Sequence, residues 1–448
     1  MFRVVISIFQ SAGWNRLLFV LDRLLPGGSP VLANASWLIL DKMFRLGVGL
    51  FVSAWVSRYL GPENLGLLAF TMSFAGLFIG LGAPAAENVV VRDLARYPDD
   101  RSRILGTAFV LRSAGTLAAS LLALAIAGSR YPGDSIRLFC IALALAGSFV
   151  QVSDTMDLCF QSRLRSKYTT IAKNAAFLLA AVLRIILIRA GAPLEAFALA
   201  SLVEIILGAL LLWVAYHHQG HSVRQWCWDP VWASRLWKDS WPLLLSGAMI
   251  SIYMRIDQVM LGELSNDQEL GIYAVAVRYA EVWYFIPIAL QSSVLPGIVQ
   301  LTKDPVRMDQ RLQHLYNLMA FITYAVAIPV TFLSPWIIGS LNGPKFLTAA
   351  PMLSVLVWSG MFVSLGVARG VYLTSMNWAK IQLVFTLVGC LINIILNLLW
   401  IPRYGGMGAV WATCISYGAQ AYLSCFFYRP LWKTGWMLTR ALIYPKPW

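Results

Sequence analysis

The chain has 448 residues, of which 59% are hydrophobic and only 12% charged, and its mean hydropathy is +0.68. Soluble proteins carry about 25% charged residues, so this composition excludes a soluble globular domain and indicates a helical membrane protein. A net charge of +14 would suit nucleic acid, but the basic residues sort by membrane side instead, which excludes that partner.

In chain order, Phe2, Val5, Ile6, Phe9, Trp14, Leu17, Leu18, Leu21, Leu24 and Leu25 alternate with Arg3, Gln10, Arg16, Asp22 and Arg23, up to Pro26-Gly27-Gly28. This pattern predicts a cytoplasmic amphipathic segment over 1–30 rather than a removable signal. Bilayer-length apolar runs follow at 35–60, 65–85, 105–127, 137–160, 169–189, 194–216, 239–262, 270–298, 312–334, 348–368, 379–401 and 408–428. Pro287 predicts a kink in the long eighth span. The basic, Trp-rich connection at 217–238 divides these spans six and six. It separates an N-terminal lobe at 31–216 from a C-terminal lobe at 239–428, which is followed by a cytoplasmic tail at 429–448.

With the N-terminus inside, 22 Lys and Arg residues fall in inner loops and tails, counting Arg369 and Lys380 there, against 6 in outer loops. The positive-inside rule therefore places both termini in the cytoplasm. Six cysteines have neither metal nor redox spacing and read as apolar fillers. No metal site and no cofactor are expected beyond a coupling ion.

The two halves repeat each other. Leu65-Gly66 after the first span matches Leu270-Gly271 after the seventh, an offset of 205, and the turn at Gly191 matches that at Gly405, an offset of 214. Six spans per repeat make the repeats parallel. The expected fold is thus an all-α polytopic membrane protein with about twelve transmembrane helices, in two six-helix lobes related by a pseudo-two-fold axis along the membrane normal. A substrate route would run between the lobes.

Fourteen charges lie in or at the ends of spans: Asp41, Lys42, Arg45, Glu87, Arg112, Asp154, Asp157, Lys173, Arg184, Glu204, Arg255, Asp257, Arg278 and Glu281. At ~3 kcal/mol each they could not all face lipid, so most face protein, a cavity or the interface. Arg255 and Asp257 are two residues apart and point roughly 200° from each other, so each needs its own partner. Asp41–Arg45 and Arg278–Glu281 are spaced either to pair or to face a ligand. Lys42, Lys173 and Arg184 read as side chains reaching for an interface. Asn393 and Asn397 on the eleventh span and Thr413 on the twelfth give those helices polar faces. Arginines in a lumen imply an anionic substrate, and their fork suits phosphate.

The same residues carry a family resemblance. Asn34-Ala-Ser-Trp37…Arg45, Ser57-Arg-Tyr-Leu-Gly-Pro-Glu-Asn-Leu-Gly-Leu-Leu68 and Glu87-Asn-Val-Val-Val-Arg-Asp-Leu-Ala-Arg96 resemble the polysaccharide (Wzx-type) flippases, and so does Tyr253-Met-Arg-Ile-Asp-Gln-Val-Met-Leu-Gly262. The runs Gly271-Ile-Tyr-Ala-Val-Ala-Val-Arg-Tyr-Ala-Glu281 and Asn393…Asn397…Ile401-Pro-Arg-Tyr-Gly-Gly-Met-Gly-Ala-Val410 are similar to that family too.

The resemblance implies a multi-pass protein of the bacterial inner membrane that moves an undecaprenyl-pyrophosphate-linked oligosaccharide from the cytoplasmic to the periplasmic leaflet by alternating access. Its partners would be that carrier, membrane lipid, and polysaccharide polymerase or assembly proteins. Arg45, Arg255, Arg278 and then Arg112 are the pyrophosphate candidates. Asp257, Asn393, Asn397 and Thr413 fall on the spans where related flippases hold a cation. The eleventh span offers only amides, so Na+ coupling and H+ coupling through Asp257, Asp154 or Glu281 both stay open. The resemblance also implies membership of the multidrug/oligosaccharidyl-lipid/polysaccharide exporter superfamily, so the alternatives are a small-molecule (drug or metabolite) cation antiporter of that superfamily and, more remotely, a membrane glycan polymerase or glycosyltransferase. The short outer loops contain no histidine and few acids, which argues against an enzyme.

Overall fold

The computed structural model describes residues 29–82, 86–163 and 167–446, with the side chains of 29–44, 81, 246 and 379 outside that description. The expected interfacial segment at the N-terminus and the side chains of Asp41 and Lys42 therefore lie outside the described residues. Among those described, the chain forms helices and no strand. The first half comprises α1 (Ser29–Leu81), α2 (Glu87–Arg96), α3 (Arg101–Arg130), α4 (Ser135–Gln151), α5 (Thr155–Ser162), α6 (Lys167–Arg189) and α7 (Leu194–His218). The second comprises α8 (Pro230–Leu264), α9 (Asp267–Glu281), α10 (Phe285–Gln300), α11 (Pro305–Leu341), α12 (Ala349–Leu356), α13 (Ser359–Ser375), α14 (Ala379–Gly418), α15 (Ser424–Phe427) and α16 (Trp432–Ile443).

Among the described residues, ten helical stretches are long and apolar enough to cross a membrane. Two of them each hold two of the expected spans. α1 reverses at Gly61 (φ 74°, ψ 175°) beside Pro62, and α14 reverses at Gly405 (φ 53°, ψ −134°), three residues after Pro402. A side chain is strained at positive φ and proline withholds a helix hydrogen bond, so these positions end one span and start the next. Dividing the two stretches there recovers the twelve spans. The eighth span breaks at 282–284, and Pro287 falls in the first turn of α10, where its missing N–H costs nothing. The fourth span is also broken, by a 3-10 turn at Val152–Asp154 that hydropathy did not anticipate. Asp134, Asp229, Asn266 and Asp304 cap the starts of α4, α8, α9 and α11 by accepting backbone N–H bonds.

The halves meet where α1 packs along α8 and α9. At the end bearing the Gly61, Gly191 and Gly405 turns, the backbones touch. A Cβ on Gly66 would lie 1.7 Å from the Asp267 carbonyl oxygen, and one on Gly271 would lie 1.9 Å from that of Pro62. Polar ties reinforce this seal. Asn342 Nδ2 donates to Ser57 Oγ (2.6 Å), Arg58 to the Ser340 carbonyl (2.9 Å), and Arg137 and Arg130 pair with Asp267 (2.7 Å) and Glu263 (3.1 Å).

At the opposite end, the amphipathic α2 buries Val89, Val90 and Leu94 against Met156, Leu158, Trp232 and Leu236. Arg92 hydrogen-bonds Asp93 and Asp239, and these two carboxylates push its pKa further up, so the clasp stays charged. The connection leading into α8 is strapped to α3. Cys227 N–H donates to the Ser102 carbonyl (3.3 Å) and Asp229 N–H to Thr107 Oγ1 (3.0 Å), and Gly106 leaves room for the Cys227 backbone.

Candidate functional site

A cavity of about 1120 Å³ lies between the halves. Arg45, Gly49 and Ser53 line it from the first limb of α1, and Met72 and Ser73 from the second. α6 and α7 contribute Phe177, Arg184 and Ser201. α8 and α9 contribute Arg255, Gln258, Arg278 and Glu281. Three of the four arginines predicted to bind substrate, Arg45, Arg255 and Arg278, therefore share one space.

None of these three forms a salt bridge among the described residues, and Glu281 on the same wall forms none either. The i, i+3 spacing of Arg278 and Glu281 thus does not produce an ion pair. Arg45 lies over the Phe177 ring at 5.1 Å, a cation–π contact that orients the guanidinium without neutralising it. Gly76 makes room for Arg255, since a Cβ there would lie 2.8 Å from Arg255 Cδ. Beside it, Ser73 Oγ donates to Gln258 Oε1 (2.7 Å), joining α1 to α8. An arginine facing lipid at mid-membrane costs ~2.5–3.5 kcal/mol, and the shared cavity wall spares all three that exposure.

Asp257 turns away from this cavity, as its angle to Arg255 requires. It is buried against α9 and α14. Tyr273 Oη and Thr413 Oγ1 (3.5 Å) donate to its Oδ2, and the Gln258 N–H donates to Oδ1 (2.7 Å). Thr413 leads on to a second set of bonds. Ser416 Oγ donates to the Thr413 carbonyl (3.0 Å), Asn393 Nδ2 to Ser416 Oγ (3.2 Å), and Asn397 Nδ2 to Asn393 Oδ1 (2.9 Å). Asn397 Oδ1 is buried with no hydrogen-bond partner among the described residues. Asp257, Thr413, Asn393 and Asn397 are thus one connected polar cluster, with a spare carbonyl oxygen at its end.

The remaining predicted residues go elsewhere. Arg112 pairs with Glu87 (3.1 Å) on α2, and Asp154 pairs with Lys173 (3.0 Å), both outside the cavity. Arg184, read from sequence as reaching for the interface, instead lines the cavity and bonds Glu204 (2.8 Å) and Ser201 (3.3 Å). Arg369, counted from sequence among loop cations, is fully buried in α13. Its Nη1 donates to the carbonyls of Gln420 (2.8 Å) and Ala421 (3.1 Å) and to Ser424 Oγ (2.7 Å), across a π-helical turn at Ala419–Leu423. Tyr273 went unnoticed because nothing in its local sequence separates a buried hydrogen-bonding tyrosine from a packing one.

Comparison with solved structures places the fold. The inward-facing conformation of a multidrug resistance MATE family transporter of the MOP superfamily matches with a TM-score of 0.71 at 15% identity, over 87% of this chain and 96% of that one. The inward closed conformation of the lipid II flippase MurJ matches at 0.68 and 15% identity, over 93% and 92%. The protein has the fold of these two proteins, with two lobes of about six helices each. The sequence model of the Polysaccharide biosynthesis protein family matches residues 31–302, and that of MatE residues 242–399. The chain belongs to the polysaccharide biosynthesis protein family. Among curated relatives, the probable low-salt glycan biosynthesis flippase Agl15 of Haloferax volcanii is 24% identical over 179 residues. The match covers 39% of this chain and 38% of that relative, so the chain spans about two fifths of its length.

Proposed function

We propose that this protein flips an undecaprenyl-pyrophosphate-linked oligosaccharide from the cytoplasmic to the periplasmic leaflet of a bacterial inner membrane. The observation that carries this reading is the trio Arg45, Arg255 and Arg278, which share one inter-lobe cavity and have no ion-pair partner among the described residues. A pyrophosphate supplies the missing counter-charge, with oxygens arranged for guanidinium forks. The sealed Gly66–Gly271 end is then the periplasmic face, and transport requires that seal to open as the opposite end closes. The likeness to a glycan-pathway flippase supports the same substrate class.

The Asp257 cluster is the coupling element of this reading. A sodium ion would use the Asp257 carboxylate, Thr413 hydroxyl and Asn397 carbonyl oxygens, whereas a proton would use Asp257 alone. The runner-up, a cation antiporter, is disfavoured by a cavity whose arginines outnumber its one unpaired carboxylate, Glu281. Depleting the protein in its host tests the proposal. The expected result is accumulation of a lipid-linked oligosaccharide in the cytoplasmic leaflet, and an unchanged leaflet distribution contradicts it.

A further inference from the structure

Arg45 stands in a wall common to two spaces. Besides the inter-lobe cavity, it lines a cleft of about 470 Å³ inside the first half, where Asp157, Gln161, Thr169, Thr170, Lys173 and Asn174 converge from α5 and α6. That volume lies within the ~300–1,000 Å³ typical of small-molecule sites.

The cleft differs from the cavity in its chemistry. Lys173 is neutralised by Asp154 at 3.0 Å. Asp157 is held in place rather than free, because Thr169 Oγ1 donates to its Oδ1 and Gln161 Nε2 to its Oδ2 (3.0 Å). Asp157 and Thr169 are 9% and 6% exposed, so these groups form the floor of a built site. Beyond Arg45 itself, the lining offers amides, hydroxyls and one carboxylate, Asp157, which is hydrogen-bonded by neutral groups and forms no salt bridge among the described residues. Such a set donates to and accepts from neutral hydroxyl-bearing ligands and gives little to an anion. The 3-10 turn at Val152–Asp154 creates this floor by restarting the helix as α5, which carries Asp157 and Gln161 into the cleft.

We infer that the cleft is a sugar subsite: with the pyrophosphate on Arg45, Arg255 and Arg278, a glycan residue next to it enters the cleft beneath Arg45 and is read by Asp157, Gln161 and Thr170. This inference rests on the flippase reading above and adds the place where the glycan is distinguished from its carrier.

The test measures binding of two defined probes to the full-length protein in nanodiscs: undecaprenyl pyrophosphate alone, and the same carrier bearing a disaccharide. The wild type is expected to bind the glycosylated probe about tenfold more tightly, the worth of one or two hydrogen bonds. Gln161→Ala combined with Thr170→Val should erase that advantage while leaving the affinity for the bare carrier unchanged, which also reports that the variant is folded. Equal weakening for both probes, or an undiminished preference for the glycosylated probe, overturns the subsite. A wild type that binds the bare carrier and gains nothing from the sugar overturns it too. Failure of the wild type to bind even the bare carrier removes the flippase reading and the subsite with it.

Discussion

Gly66 and Gly271 occupy equivalent positions in the two halves, and each fills the space that a side chain on the other would need. Their backbone nitrogens come within 2.9 Å of the Cβ that the partner lacks. The seal between the lobes is therefore built on the repeat itself, at the pseudo-two-fold axis, and it closes only because both halves keep glycine there.

This contact yields a prediction with a sign. Gly66→Ala or Gly271→Ala introduces overpacking worth ~1–3 kcal/mol in the sealed state only, a shift of roughly 5- to 150-fold toward the state open at that end. Pulsed electron paramagnetic resonance between labels on the Gly61 and Gly405 turns should show a longer distance in either variant, with slower transport. An unchanged distance distribution would show that the seal does not depend on this close approach.

The half-buried Arg137–Asp267 pair crosses the same seal and should act with the glycines. Arg137→Glu and Asp267→Arg should each weaken closure, and the double variant should recover part of the loss, with a coupling of about 1 kcal/mol. Additive effects in that cycle would mean that the pair is incidental to closure.

Removing charge from Asp257 while keeping its shape separates coupling from folding. Asp257→Asn should preserve abundance and abolish the dependence of transport on a sodium or proton gradient. Asp257→Ala strips the acceptor from Tyr273 and Thr413 and should also destabilise by about 1–3 kcal/mol. Transport by Asp257→Asn that still follows the gradient would move coupling to another group.

Arg369 should behave unlike the cavity arginines. It holds the π-helical turn of the last span by three hydrogen bonds to Gln420, Ala421 and Ser424, so Arg369→Met leaves buried acceptors unpaired. The expected outcome is lowered thermal stability and yield, by about 3 kcal/mol or more, with transport per folded molecule retained. Normal stability with lost transport would reassign Arg369 to the substrate path.

The sequence makes the spans legible because a bilayer demands ~20 apolar residues and internally satisfied backbone wherever it is crossed. Hydropathy separates the paired spans at Gly61 and Gly405, where the non-helical backbone of each glycine divides two helices. The angular divergence of Arg255 and Asp257 was also legible, since helical geometry alone fixes it. Depth and partnership were not. Arg369 lies just past the apolar run ending at 368 and so read as a loop cation, yet α13 continues to Ser375 and buries it. Arg184 read as an interfacial side chain because its partner, Glu204, sits on a different span, and pairing between helices leaves no trace in local spacing. The short helix α2 was hidden because its amphipathic face is satisfied by the end of the fourth span and the start of α8, far away in the chain.

Arg45, Arg255 and Arg278 are proposed to bind the pyrophosphate of a lipid-linked glycan. The most direct test is leaflet transfer of an undecaprenyl-pyrophosphate-linked oligosaccharide in proteoliposomes containing the wild type, Arg255→Ala, Arg255→Lys or Arg112→Ala. The expected results are transfer by the wild type, loss of at least about a hundredfold in Arg255→Ala at normal protein level, partial retention in Arg255→Lys and near-normal rates in Arg112→Ala. Full transfer by correctly inserted Arg255→Ala would contradict that role.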